Sequence, residues 1–178
     1  MRYASSALAR SADFRTAFRH HPAGVAIVAA ATPEGHAGLT VSSLASVAVD
    51  PCVVSFSVTS SRGSAGAVLA APVLGVSLLD SDQVDTALAF AQPGAPRFTP
   101  EQDWVEFDDG APYLRLAHAA LRCAMLESVQ AGSSTLVLAE VFEVRLGQSS
   151  EPMVYHDRDF HQVVDSVLMS RQGPPTTV

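Results

Sequence analysis

Residues 134–146 alternate with a period of two: Thr135, Val137, Ala139, Val141 and Glu143 oppose Leu136, Leu138, Phe142 and Val144. So long an alternation commits the segment to a β-strand with two unlike faces. Cys52, Val54, Phe56 and Val58 alternate in the same way with Val53, Ser55, Ser57 and Thr59. The apolar run 25–31 reads as a strand, turned by Thr32-Pro33-Glu34-Gly35 toward a second strand entering Leu39; 44–49 and 73–79 are further strands. Residues 114–130 fit two periods. Leu114, Ala117, His118, Leu121 and Met125 suit a helix face, whereas Leu121, Cys123, Met125, Glu127 and Val129 alternate, and a strand is assigned to the second half. Residues 153–163 read as a last hairpin turning at Asp157-Arg158-Asp159. Helices are expected at 11–19 with Ser11 as N-cap, at 65–71, and from Asp80 or Ser81 through Phe90. Residues 92–112 collect prolines, acids and turn residues into an irregular excursion.

Six or seven strands with few helices predict a mainly β protein, a β-barrel carrying peripheral helices. There is no repeat or linker, so 1–169 reads as one domain and 170–178 as a disordered tail. Only 16% of the 178 residues are charged, against about 25% in ordinary soluble domains. Such an apolar chain needs a subunit interface to cover itself, most simply that of a homodimer. The net charge is −7 and the chain has no lysine, which argues against nucleic acid as a partner. No apolar run is long enough to span a bilayer, and a cytoplasmic protein is expected. Cys52 and Cys123 sit in apolar runs and read as buried free thiols. No Cys/His spacing suits a metal, and His20-His21 reads as a polar helix end.

The segment Gly38-Leu-Thr-Val-Ser-Ser-Leu-Ala-Ser-Val-Ala-Val-Asp-Pro51 carries the functional signal. Thr40, Ser42 and Ser43 can line a bend with hydroxyl groups, and the amides of Ser46, Val47 and Ala48 follow on a chain of small residues. Taken alone, a Ser/Thr-rich bend reads as a turn. As a surface it suits a phosphate followed by a planar heterocycle with hydrogen-bonding edges, a description that fits flavin mononucleotide.

The order of pieces then matters. Ala23-Gly24-Val25-Ala26-Ile27-Val28, the segment 38–51, a strand, and Ser60-Ser61 together resemble the flavin reductase family. Phe90-Ala91 before Arg97-Phe98, Ala131-Gly132 before the long strand, and Val154-Tyr155-His156 extend the resemblance over residues 10–163. It implies the FMN-binding split β-barrel fold, homodimeric, with FMN or FAD and NAD(P)H as cofactors. It also implies that reduced flavin is supplied to a partner monooxygenase.

By the same resemblance, Thr40, Val41, Ser42 and Ser43 would meet the ribityl chain and phosphate. Ser46, Val47 and Ala48 would border the isoalloxazine, and Ser60 and Ser61, with Arg62 beside them, would add phosphate contacts. Arg97 and Phe98 stand where the family commonly places a pair reaching the phosphate. A guanidinium is a strong partner for a dianion in an acidic protein, although Arg62 and Arg97 also read as solvated loop charges. No catalytic side chain is expected, because hydride passes directly between the two cofactors.

One motif departs from the family. Many relatives carry Gly-Asp-His before the penultimate long strand, with the histidine near the nicotinamide; here the residues are Gly132-Ser133-Ser134. Either Ser134 and His156 take the nicotinamide side, or the bound flavin serves another redox reaction on a small molecule. A non-catalytic flavin-binding subunit is the third reading. His118 reads as a core or interface histidine, and His156 and His161 as an exposed pair.

Overall fold

The computed structural model describes residues 7–148 and 151–163. Its helices are α1 (Ala7–Arg19), α2 (Gly63–Ala70) and α3 (Val84–Ala91). Its strands are β1 (Ala23–Gly24), β2 (Ala26–Thr32), β3 (Gly35–Val41), β4 (Ala45–Val49), β5 (Cys52–Val58), β6 (Val73–Leu78), β7 (Trp104–Glu106), β8 (Pro112–Leu114), β9 (Ala119–Ala131), β10 (Ser134–Leu146), β11 (Met153–His156) and β12 (Asp159–Gln162). The protein is mainly β, as expected. It has more strands than the sequence signalled, because the excursion folds back on itself as the β7–β8 pair and β1 is a two-residue addition to the last hairpin.

Seven strands form one antiparallel sheet in the order β3-β2-β6-β9-β10-β5-β4. Val41 near one edge and Val54 near the other belong to a single apolar cluster with Val28, Phe56, Leu74 and Val137. The sheet therefore curls around its own interior, and Val68 of α2 is buried in the same cluster. β2 is buried on both faces over Ala26–Ala30, which explains why its sequence is continuously apolar rather than alternating. Its second face packs with Phe90 of α3, Leu114 and Met153 under the rings of Phe98, Trp104, Tyr155 and Phe160.

Two bulges bend the β9–β10 hairpin, between Leu138 and Ala139 and between Val141 and Glu143. They place Leu126 and Phe142 outside regular pairing, and both are exposed. Gly75 of β6 admits no side chain, since an added Cβ would lie 2.0 Å from the Pro112 carbonyl oxygen.

Three expectations change. α1 begins at Ala7, so Ser11 lies within the helix rather than capping it; apolar and small residues carry the helix further back. Cys52 is exposed, unlike the fully buried Cys123, because it opens β5 beside the turn, beyond the end of the covered face. His118 is half-exposed because it precedes β9, which removes the core reading of this histidine and not the interface one. The β4–β5 turn contains a cis Asp50–Pro51 peptide bond. The expected tail, 170–178, lies outside the described residues. Among the described residues, no helix is long and apolar enough to cross a membrane.

Candidate functional site

β3, its exit and β4 carry the chain through residues 39–46 past three clefts in succession. Leu39 lines the first, Thr40 and Ser42 the second, and Leu44, Ala45 and Ser46 the third. Ala91 of α3 is shared by the first two, and Val25 by the second and third.

The first cleft, of about 700 Å³, is cationic and is lined by Ser60, Arg62, Ser64 and Arg97. Gly63, at φ 56°, turns the chain into α2, and a Cβ on Gly66 would lie 2.4 Å from the Ser61 carbonyl oxygen. The loop 60–62 can therefore sit against the helix only because residue 66 is glycine. Ser60 Oγ accepts the Arg62 backbone N–H at 3.1 Å, which fixes the loop. The Arg62 side chain is exposed, with no side-chain hydrogen bond or ion pair among the described residues.

Arg97 is held quite differently. Its Nε donates to the Ala89 carbonyl at 3.1 Å and Nη2 to the Gln92 carbonyl at 2.9 Å, at the end of α3. Its Nη1 donates to the Gly38 carbonyl at 3.2 Å and to Ser64 Oγ at 3.1 Å. A guanidinium has five N–H groups, so these contacts leave one for a ligand. Arg97 thus braces α3, β3 and the first turn of α2 as well as lining the cleft. Phe98, at φ 54°, turns away into the aromatic cluster, with its ring centroid 5.0 Å from that of Phe90 and 4.7 Å from that of Trp104.

The second cleft, of about 230 Å³, lies between the 40–42 bend and the rings of Tyr155 and Phe160, which pair across the last hairpin. Of the three hydroxyl groups on this bend, two are already in use. Thr40 donates to the Ala87 carbonyl at 2.7 Å. Ser43 accepts the Ser57 N–H at 2.9 Å and donates to the Ser57 carbonyl, tying the bend to β5. Ser42 alone keeps its hydroxyl free of protein partners among the described residues, and Val41 points into the core.

The third cleft, of about 380 Å³, is apolar, with Val25, Leu44, Leu79, Leu121 and Met153 in its walls. Ser46, Asp80 and His118 are the side chains in it that can hydrogen-bond. β4 is an edge strand, exposed along its length, with a register shift between Ser46 and Ala48 that leaves Val47 as the bulged residue. An edge bulge leaves backbone groups outside the ladder, at the position where the sequence calls for exposed amides.

Ser134 and His156 are not brought together. Ser134 pairs with Ala131 beside the two-residue β9–β10 turn, whereas His156 belongs to the three-stranded sheet β1-β11-β12. Neither lines any of the three clefts. The His156 ring instead stands 6.2 Å from His20 and 5.8 Å from His161. Arg19 bridges to Asp157 there and holds that carboxyl below the usual carboxylate range, with His20 and His156 adding smaller pulls.

Sequence reasoning missed Ser64, Tyr155, Phe160, Asp80 and His118 as lining residues. Asp80 had a local explanation as a cap, which it also is: its N–H donates to Gln83 Oε1 at 3.1 Å in a reciprocal capping box. Burial shared between distant segments has no signature in a single sequence.

The comparisons with known proteins point one way. The family model described as "Flavin reductase like domain" matches residues 18–164. An NADH:FMN oxidoreductase of Rhodococcus erythropolis is 32% identical over 154 residues, 84% of this chain and 80% of that protein. The reductase component of a 4-nitrophenol 4-monooxygenase/4-nitrocatechol 2-monooxygenase of Rhodococcus opacus is 30% identical over 152 residues, 85% of this chain and 81% of its own. Among solved structures, the NADH:FAD oxidoreductase of Streptomyces globisporus C-1027, in complex with NAD and FAD fragments, superposes with a TM-score of 0.80. That pair is 27% identical, covering 88% of this chain and 94% of the other. The chain belongs to the flavin reductase family.

Proposed function

We propose that this protein is an NAD(P)H-dependent flavin reductase that binds FMN or FAD and supplies reduced flavin to a partner monooxygenase. The observation that carries the reading is the order of the three clefts along 39–46: cationic, hydroxyl-lined, then apolar. A flavin nucleotide has the same order, phosphate, ribityl and tricyclic ring. Arg62, Ser60, Ser64, the remaining N–H of Arg97 and the first turn of α2 hold the phosphate. Ser61 belongs to the same loop. Ser42 serves the ribityl hydroxyl groups, and Thr40, Val41 and Ser43 keep the bend rigid behind it. Ser46, Val47 and Ala48 border the ring.

Bound flavin would supply the two-electron chemistry by accepting a hydride from the nicotinamide. The chain's own contribution is to orient the ring, leave one face open, and offer backbone donors from β4 at little reorganisation cost. No acid or base is assigned to the transfer. The chain is a single split-barrel domain acting as a homodimer, a reading supported by the exposed apolar side chains of β4, β9 and β10: Val47, Val49, Leu126, Phe142, Val144 and Leu146. The Rhodococcus opacus relative, named as a monooxygenase reductase component, supports the oxygenase partner.

Anaerobic stopped-flow mixing of the flavin-loaded protein with NADH or NADPH tests the reading. Bleaching of the flavin band is expected with at least one nucleotide, and bleaching with neither overturns it. A second reading, favoured by Gly132-Ser133-Ser134, keeps the flavin but uses it in another redox reaction on a small molecule. Stoichiometric retention of flavin through purification would mark that reading, and exchangeable binding the first.

A further inference from the structure

Asp80 is 3% exposed, and its Oδ1 has no hydrogen-bond partner among the described residues. Nδ1 of His118 lies 3.8 Å away, beyond hydrogen-bond reach. Buried carboxylate oxygens are almost always given a donor, and an unpaired one in a native structure points to a use. Asp80 lies between two clefts. On one side is the apolar cleft that contains Ser46, and on the other an acidic one bordered by Asp82, Glu101, Asp103 and Arg115. The apolar cleft thus has dry walls and, at one end, an acceptor without a donor next to an imidazole. An imidazole whose Nδ1 carries its hydrogen is itself a donor.

We infer that Asp80 and His118 read the dioxopyrimidine edge of the flavin, a specificity device for this chain. That edge presents one N–H, at N3, between two carbonyl oxygens. Asp80 Oδ1 accepts the N3 hydrogen, and His118 Nδ1 donates to a neighbouring carbonyl. The match is one of sequence as well as number: an acceptor and an adjacent donor meet a donor and an adjacent acceptor. The volume of the cleft, about 380 Å³, falls within the range of small-molecule clefts. The inference rests on the proposed flavin site. Its test separates the two.

Dissociation constants for FMN and for 3-methyl-FMN, which lacks the N3 hydrogen, are measured by fluorescence quenching without any reductant. Wild-type protein is expected to bind the methylated flavin at least tenfold more weakly. Asp80→Ser keeps an N-cap hydroxyl for the turn, and should bind the two flavins equally, both more weakly than wild type binds FMN. His118→Leu should weaken both flavins by a similar factor, without removing the preference for FMN. Equal binding of the two flavins by the wild type overturns the inference and needs no folded variant. So does discrimination that survives in Asp80→Ser. If Asp80→Ser leaves flavin affinity unchanged but raises KM for NADH and not for reduced 3-acetylpyridine adenine dinucleotide, Asp80 reads the nicotinamide carboxamide instead and the inference fails. Absence of FMN binding to the wild type would overturn the proposed function itself.

Discussion

The cationic cleft and the apolar cleft lie at the two ends of one short segment, and they treat charge in opposite ways. At the cationic end the protein has nearly completed its own electrostatics. Arg97 is turned onto the carbonyls of Gly38, Ala89 and Gln92 and onto Ser64, whereas the side chain of Arg62 has no hydrogen bond or ion pair among the described residues. At the apolar end a buried carboxylate oxygen has no donor among the described residues. The first cleft is a firm frame with a cation to spare, and the second is a dry slot with an acceptor to fill. A ligand that satisfies both must carry an anion at one end and an N–H at the other, separated by a polar chain.

The two ends can be broken independently. The largest effect is expected from Gly66→Ala, whose Cβ would meet the Ser61 carbonyl at 2.4 Å, a backbone atom that cannot rotate aside. The loop 60–62 must then move. FMN affinity should fall more than a hundredfold, while lumiflavin, which has no phosphate, binds as before; isothermal titration with both ligands checks this.

The two arginines sharpen the contrast. In the proposed site, Arg62→Ala should remove one charge-assisted hydrogen bond to the phosphate, about 1.5–3 kcal/mol and so one to two orders of magnitude in FMN affinity, with the melting temperature unchanged. Arg97→Ala should instead lower the melting temperature clearly, because four protein contacts go with it, and Arg97→Lys should restore little of the loss. If Arg62→Ala unfolds the protein and Arg97→Ala does not, the roles are reversed.

Thiol labelling probes the sheet rather than the clefts. Burial pushes the Cys123 thiol up to about 12 against the smaller opposing pull of the Arg122 charge, so it is unreactive at neutral pH. Cys52 is exposed, its Sγ 3.1 Å from the Val49 carbonyl. One thiol per chain should react with an aromatic disulfide reagent in the folded protein, and two after denaturation.

The smallest effect concerns the last hairpin, which carries Tyr155 and Phe160 over the middle cleft. Arg19 holds the Asp157 carboxyl below its ordinary range. A carboxyl lowered by folding stabilises at pH values above its unfolded value, about 3.9, and the contribution is lost as pH falls through the folded value. Asp157→Asn should therefore lower the melting temperature by about a degree at neutral pH, as for an exposed pair. The difference from wild type should vanish in acid.

Much of this frame was legible from residue order. The alternation in β5 and β10 and the turn at Asp157-Arg158, both with positive φ, map directly onto antiparallel pairing. Period two survives as burial where a strand has one covered face. It fails at Leu126 and Phe142, where bulges shift the register, and a bulge leaves no mark in a run of apolar residues. The site was legible on one side only. Of the proposed site residues, Thr40, Ser42 and Ser46 fall on the single stretch 38–51, whose run of small and hydroxyl residues marks it, whereas Ser60 and Arg97 were legible only through the resemblance to the family. Asp80 and His118 come from the end of β6 and the start of β9, and only the β6–β9 pairing sets them side by side. Thr40 and Ser43 also hold the bend, through Ala87 and Ser57, a second duty that only their three-dimensional partners reveal.

A crystal structure of the protein with FMN is the decisive measurement. The phosphate should lie between Arg62 and the first turn of α2, and the ring in the apolar cleft between Ser46 and Asp80. A phosphate at any other surface, or a ring lying outside that cleft, would contradict the proposed flavin site.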